Sequence, residues 1–134
     1  RSTSIFGYAC LRLLAGMRSR RPRSHGFAET QAQIDLWLSD VKAAVQKSLP
    51  LALEVSECVR LIKGYGDTFR RSQGNFQKIR DSLIVPALDG TLDPGRAADA
   101  LANARAAALA DPEGKRLSAV LSSFDRARLN QAAE

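Results

Sequence analysis

Apolar residues recur at helical spacing along nearly the whole chain, and nowhere do they alternate with period two over a useful length. From Ile5 to Arg18, Phe6, Cys10, Leu13, Leu14 and Met17 return every three or four positions, predicting a first helix that Gly7 and Gly16 weaken. The run from Arg18 to Gly26 breaks this rhythm with Pro22 and Gly26 and reads as a basic loop holding the single histidine, His25. Phe27, Gln31, Ile34, Leu38, Val41 and Val45 then form the clearest amphipathic row in the chain. Trp37 broadens that row, whereas Asp35, Asp40, Lys42 and Lys47 fall outside it. Ser48 is placed to cap the next helix, because Pro50 is tolerated in a first helical turn, where an amide has no partner to lose.

Leu51, Val55, Cys58, Val59 and Ile62 make the next row, ending at Lys63-Gly64, and Phe69, Phe76, Ile79, Leu83 and Ile84 make another. So short a connection predicts antiparallel neighbours, with Ile62 against Phe69 near the turn. Gly64 suits a left-handed helix stop, Gly66 relaxes the turn, and Asp67 or Thr68 is expected to accept from the first free amides of the following helix. That helix fades at Val85-Pro86, and Asp89 to Gly95 reads as a loop ending in an Asp93-Pro94 start signal. The Ala-rich segment from Ala97 to Ala110 has only Leu101 and Leu109 as large anchors, so it is expected to pack at the periphery through small side chains. Asp111-Pro112-Glu113 repeats the start signal before a last helix with Leu117, Val120, Leu121 and Phe124 on one face, fraying from Asn130. The pattern defines an all-α fold, a single bundle of about five or six mostly antiparallel helices. A basic arm and loop, 1–26, precedes a helical core, 27–129. The two Asp-Pro starts share no apolar pattern behind them and do not make a repeat.

Composition fits one domain with a modest core: 134 residues, 45% hydrophobic and 25% charged. A start at Arg1 rather than Met fits a piece of a longer chain. Charge changes the picture more. The net +6 comes from 20 basic and 14 acidic residues, and six bases (Arg1, Arg12, Arg18, Arg20, Arg21 and Arg23) precede the first acid, Glu29, which leaves 14 bases for 14 acids beyond the arm. A nucleic-acid face on the folded core is therefore not expected. The arginine run 18–23 could contact RNA, anionic lipid or an acidic protein face, which would make the chain a basic nucleic-acid-binding module in the first case, but with no interleaved aromatics to stack bases it reads rather as a solvated linker. An acid-free stretch rich in Arg and Ser also has the composition of a transit peptide. Ile5 to Met17 is about half a membrane span and contains Arg12, so no transmembrane helix is expected. Cys10 and Cys58, without a CxxC, read as reduced, buried thiols of a cytoplasmic protein.

Candidate chemistry gathers at the corner. Helix-start amides with Lys63, Gly64, Tyr65, Gly66, Arg70 and Arg71 around them form a possible anion- or partner-binding site for a phosphate, a nucleotide or coenzyme A. The competing reading is a capped interhelical turn, in which Lys63 answers its own helix dipole, Asp67 occupies the amides and Tyr65 stacks over the corner. The Gly-x-Gly lies between helices and lacks a third glycine, so it is not a dinucleotide fingerprint. One histidine without a neighbouring cysteine makes no ordinary zinc site, and no catalytic residue is assigned. Glu54 and Glu57 read as a solvated face, with Glu57 and Arg60 spaced for a weak ion pair.

The stretch from Leu51 to Arg71, centred on Lys63-Gly64-Tyr65-Gly66-Asp67-Thr68 and followed by Gly74-Asn75-Phe76, resembles the C-terminal helical region of bacterial indolepyruvate:ferredoxin oxidoreductase beta-subunit family proteins. Gly7-Tyr8, Leu11 to Gly16, Phe27-Ala28-Glu29 and Ala107 to Gly114 extend the likeness over most of the chain. The resemblance implies a parent enzyme that oxidatively decarboxylates aryl 2-oxoacids to acyl-coenzyme A with thiamine diphosphate, coenzyme A, iron-sulfur clusters and ferredoxin. This chain lacks the four thiolates of a cluster and the Gly-Asp-Gly and paired asparagines of a thiamine diphosphate site. The resemblance therefore implies a non-catalytic accessory domain, without a cofactor of its own, partnered by the remaining domains or subunits of the oxidoreductase.

Overall fold

A computed structural model describes residues 25–132, with side chains for residues 30–129. The first expected helix, Cys10 and residues 18–24 of the basic loop lie outside the described residues. The described backbone is predominantly helical and contains no strand, confirming the all-α bundle. Its helices are α1 (His25–Lys47), α2 (Leu49–Glu57), α3 (Gly66–Ile79), α4 (Val85–Asp89), α5 (Pro94–Ala110) and α6 (Lys115–Ala132), with a 3-10 turn at Cys58–Leu61 and a π-helical turn at Arg80–Ile84. His25 and Gly26, expected in the loop, already belong to α1. Chain contacts divide the protein into two compact units, Arg1–Leu36 and Trp37–Glu134, and the division falls inside α1. In the first unit, Gln31 Nε2 donates to Asp35 Oδ1 at 3.1 Å, one helical turn on.

Within the second unit, α1 buries only part of the row its large apolar residues mark. Asp40 and Ala44 are buried and Trp37 and Val41 half-buried, whereas Leu38 and Val45 are exposed. Two specific bonds fix this rotation. The Trp37 indole N–H donates to the Val55 carbonyl at 3.0 Å, and Arg80 grips Asp40 with Nε to Oδ2 at 2.7 Å and Nη2 to Oδ1 at 3.1 Å. Asp40 thus belongs to the core side; a buried carboxylate persists there because a bidentate guanidinium answers both its oxygens. Ser48 takes the extended conformation of an N-cap, but its hydroxyl makes no capping bond, and Pro50 sits in the first turn as expected.

α2 stops sooner than its apolar row suggests. It tightens into the 3-10 turn after Glu57, Ile62 is already extended, and Leu61 rather than Val59 is buried. The principal neighbour of α2 is α5, while the 3-10 turn makes the contact with α3, so the expected antiparallel pairing of α2 with α3 is not the main packing. α5 is central rather than peripheral. It touches α2, α3, α4, α6 and both irregular turns, with Ala97, Ala98, Leu101, Ala104 and Ala108 buried. Its small side chains let neighbours approach closely on several sides, so few large anchors are needed.

Phe76, Ile79, Leu83 and Ile84 are buried in the predicted row. The helix nevertheless does not end at Pro86. The Val85 N–H bonds to the Arg80 carbonyl, five residues back, and this wide turn carries the chain past the point where the proline ring would press on a regular helix. α4 continues to Asp89, and the loop behind it inserts Leu92 into the core. Asp93 caps α5 as predicted, its carboxylate accepting from the Arg96 N–H at 2.9 Å. Asp111 accepts from Glu113 and Arg116 N–H groups, which hold its carboxyl below the usual range, Arg116 contributing most. α6 begins only at Lys115, three residues beyond Pro112, because Pro112 to Gly114 form a turn. Leu117 and Leu121 are buried and Val120 and Phe124 packed against the core, as the apolar row requires.

Candidate functional site

The corner between the 3-10 turn and α3 is built on Gly64. Its φ is +89°, and a Cβ there would stand 2.6 Å from Thr68 Cγ2, so both backbone and space demand glycine. Gly66, at φ +56°, opens α3, and Tyr65 occupies the N-cap position without a side-chain cap. Neither Asp67 nor Thr68 caps the helix; the helix starts a residue before them, and Asp67 sits in its first turn. Tyr65 does not stack over the corner. It is 95% exposed.

A residue that the apolar pattern passes over holds the corner in place. The Ser72 hydroxyl accepts the Lys63 N–H at 3.3 Å and lies 3.1 Å from the Lys63 carbonyl and 2.9 Å from that of Phe69, either of which its proton can reach. One turn along α3, buried Asn75 donates to the Pro112 carbonyl at 3.1 Å. The loop before α6 fits against it only because Gly114 has no side chain: a Cβ would lie 2.5 Å from Asn75 Oδ1. Two stretches distant in sequence, Gly74-Asn75-Phe76 and Asp111 to Gly114, therefore meet. Short polar residues inside helices carry no periodic signal, so only a survey of potential backbone partners would have singled out Ser72 and Asn75.

The predicted site residues are brought together unequally. Arg71 pairs with Glu113 across the loop, and Arg70 lies 3.6 Å from Asp67 with both side chains highly exposed. Lys63 has no carboxylate partner among the described residues. Beside it, Lys63, Thr68, Ser72, Asn75, Leu109 and Pro112 line a cavity of about 50 Å³. That admits a few waters, whereas pockets for small molecules run to about 300–1,000 Å³. A wider groove of about 250 Å³ lies between α5 and α6, lined by Leu83, Ala100, Asn103, Val120, Phe124 and Ala127 among others.

Glu54 and Glu57 are not simply a solvated face. Arg105 from α5 donates to Glu54 at 2.7 Å and reaches Glu57 at 3.6 Å, while Glu57 also takes Arg60 at 2.9 Å, which lowers its carboxyl pKa. The fully buried Cys58 is a free thiol, as expected, and its burial pushes its pKa up to about 12. Such a thiol is inert rather than nucleophilic. Among the described residues no group of three or more His, Cys, Asp or Glu could hold a metal ion, and no helix is long and apolar enough to cross a membrane. Two cysteines in the whole chain do not fit the ligand set of an iron-sulfur cluster.

Fold and corner together define a helical-bundle protein whose most specific feature is a fastened interhelical turn. Residues 1–82 match the model of a family of unknown function, DUF6537, and the chain belongs to that family. The match takes in α1, α2, the corner and α3 and ends within the π turn, ahead of α5. No curated protein and no solved structure matches the chain.

Proposed function

We propose that this chain is a non-catalytic accessory domain of a bacterial, cytoplasmic indolepyruvate (aryl 2-oxoacid):ferredoxin oxidoreductase, docking on the parts that carry thiamine diphosphate, coenzyme A and the iron-sulfur clusters. The residue resemblance centred on Lys63 to Thr68 carries this reading. Exposed apolar side chains support a docking role: Leu49 at 76% and Leu53 at 59% lie one turn apart on α2, and Leu38 and Val45 lie two turns apart on α1. In the parent protein, excising residues 27–129 should impair assembly or lower aryl 2-oxoacid-dependent reduction of ferredoxin. Unchanged assembly and turnover would refute the role.

The alternative, an anion-binding module that takes a nucleotide or coenzyme A at the corner, rests on Lys63 and the uncapped start of α3. On that reading coenzyme A raises the melting temperature in a saturable way, and Lys63→Ala and Arg70→Ala abolish the rise. Melting curves that stay flat across such ligands would remove it.

A further inference from the structure

We infer that Tyr65 is the anchor by which this domain seats on its protein partner, entering an apolar pocket bordered by carboxylates. The inference rests on the docking reading above and names the contact. Tyr65 is the most exposed large apolar side chain among the described residues. The backbone beneath it is nevertheless committed to one shape. Ser72 holds Lys63, Gly64 closes on Thr68, and the Arg71–Glu113 pair and the Asn75–Pro112 bond tie the following helix to the loop before α6. A ring displayed on a fixed support loses little freedom when it is buried by a partner, and tyrosine and arginine are among the residues enriched where binding energy concentrates at protein interfaces.

Charge selects the partner. Lys63 is unpaired among the described residues, and Arg70 is held only loosely by Asp67, so both can turn to carboxylates at the edge of the pocket. A nucleic acid fits less well, because Asp67 and Glu113 already engage Arg70 and Arg71 and leave few cations at the corner for a run of phosphates.

The test measures binding of the full chain to the separately expressed catalytic polypeptide of the parent oxidoreductase, with poly-uridylate as the nucleic-acid probe. Tyr65→Ala should weaken binding to the polypeptide by about tenfold or more, while Tyr65→Phe stays within about threefold. Lys63→Glu should slow association, most at low salt. The melting temperatures of all three should match the parent chain, since the side chains support no internal packing. Wild-type affinity in Tyr65→Ala would overturn the anchor and leave the docking reading standing. A wild-type chain that does not bind the polypeptide would overturn both. Poly-uridylate binding that Tyr65→Ala abolishes would replace the protein partner with RNA.

Discussion

Removing Asp40 should destabilise the protein more than the loss of an ordinary ion pair. Arg80 donates to both its oxygens, at 2.7 and 3.1 Å, and the two side chains are 18% and 7% exposed. Breaking such a buried pair from one side costs about 3–5 kcal/mol, because a desolvated charge is left without its counter-charge. The guanidinium keeps some contact with water, which places Asp40→Ala at the low end, about 3 kcal/mol. Replacing both partners with apolar residues, Asp40→Leu with Arg80→Met, removes the stranded charge and should recover about 2 kcal/mol relative to the sum of the single changes. Urea unfolding followed by the fluorescence of Trp37, the single tryptophan, and by circular dichroism reads both numbers. With a denaturant slope of about 1–3 kcal/mol/M, the single variant's midpoint should fall by about 1–3 M. A cost for Asp40→Ala below about 1 kcal/mol, or a double variant as unstable as the sum, would refute the reasoning.

Ala104→Leu, in the fully buried face of α5, should cost about 1–3 kcal/mol by overpacking, while Ala106→Leu on the exposed face stays within about 0.5 kcal/mol; equal effects in urea unfolding would show that α5 is not central. Cys58 keeps its proton in the folded protein above the pH at which an unfolded thiol loses it, so its contribution to stability should fall as pH rises from about 9 towards 12, by up to about 1.4 kcal/mol per pH unit. Denaturation of the parent chain and of Cys58→Ala at pH 8 and pH 10 isolates that slope. Identical slopes would contradict it.

The parts legible in sequence are those where large apolar residues meet a local signal: the row from Phe76 to Ile84, the Asp93 cap of α5, the left-handed backbone at Gly64, though the helix before it ends sooner, and the buried face of α6. In α1 the apolar pattern holds at Trp37 and Val41 but fails at Leu38 and Val45, because a hydrophobic count gives no weight to Ala44 or to an aspartate whose partner lies 40 residues on. In α5 small side chains pass for a weak core, although they are what lets a helix be surrounded. Pro86 has the look of a terminator because a wide turn has no signature in apolar spacing. At the corner, the glycines mark the turn, but its polar fastenings, Ser72 to Lys63 and Asn75 to Pro112, join residues whose partnership only the fold creates.

The π turn at Arg80–Ile84 acts as a phase adjustment between two lengths of one helix. A regular helix advances about 100° per residue, so a turn that holds an extra residue hands on the following stretch with its apolar side re-aimed. Leu83 and its immediate neighbour Ile84 are both buried for this reason, Ala87 follows them inward, and Arg80 leaves the turn towards Asp40. Deleting Ser82 would restore an ordinary helical period and drive the Pro86 ring against a carbonyl, while Ala87, then two regular turns on from buried Ile79, would still face the core. Exchanging Ser82 for another small residue would change none of this. What this stretch encodes is its length, and it should tolerate substitution at Ser82 far better than the loss of one residue.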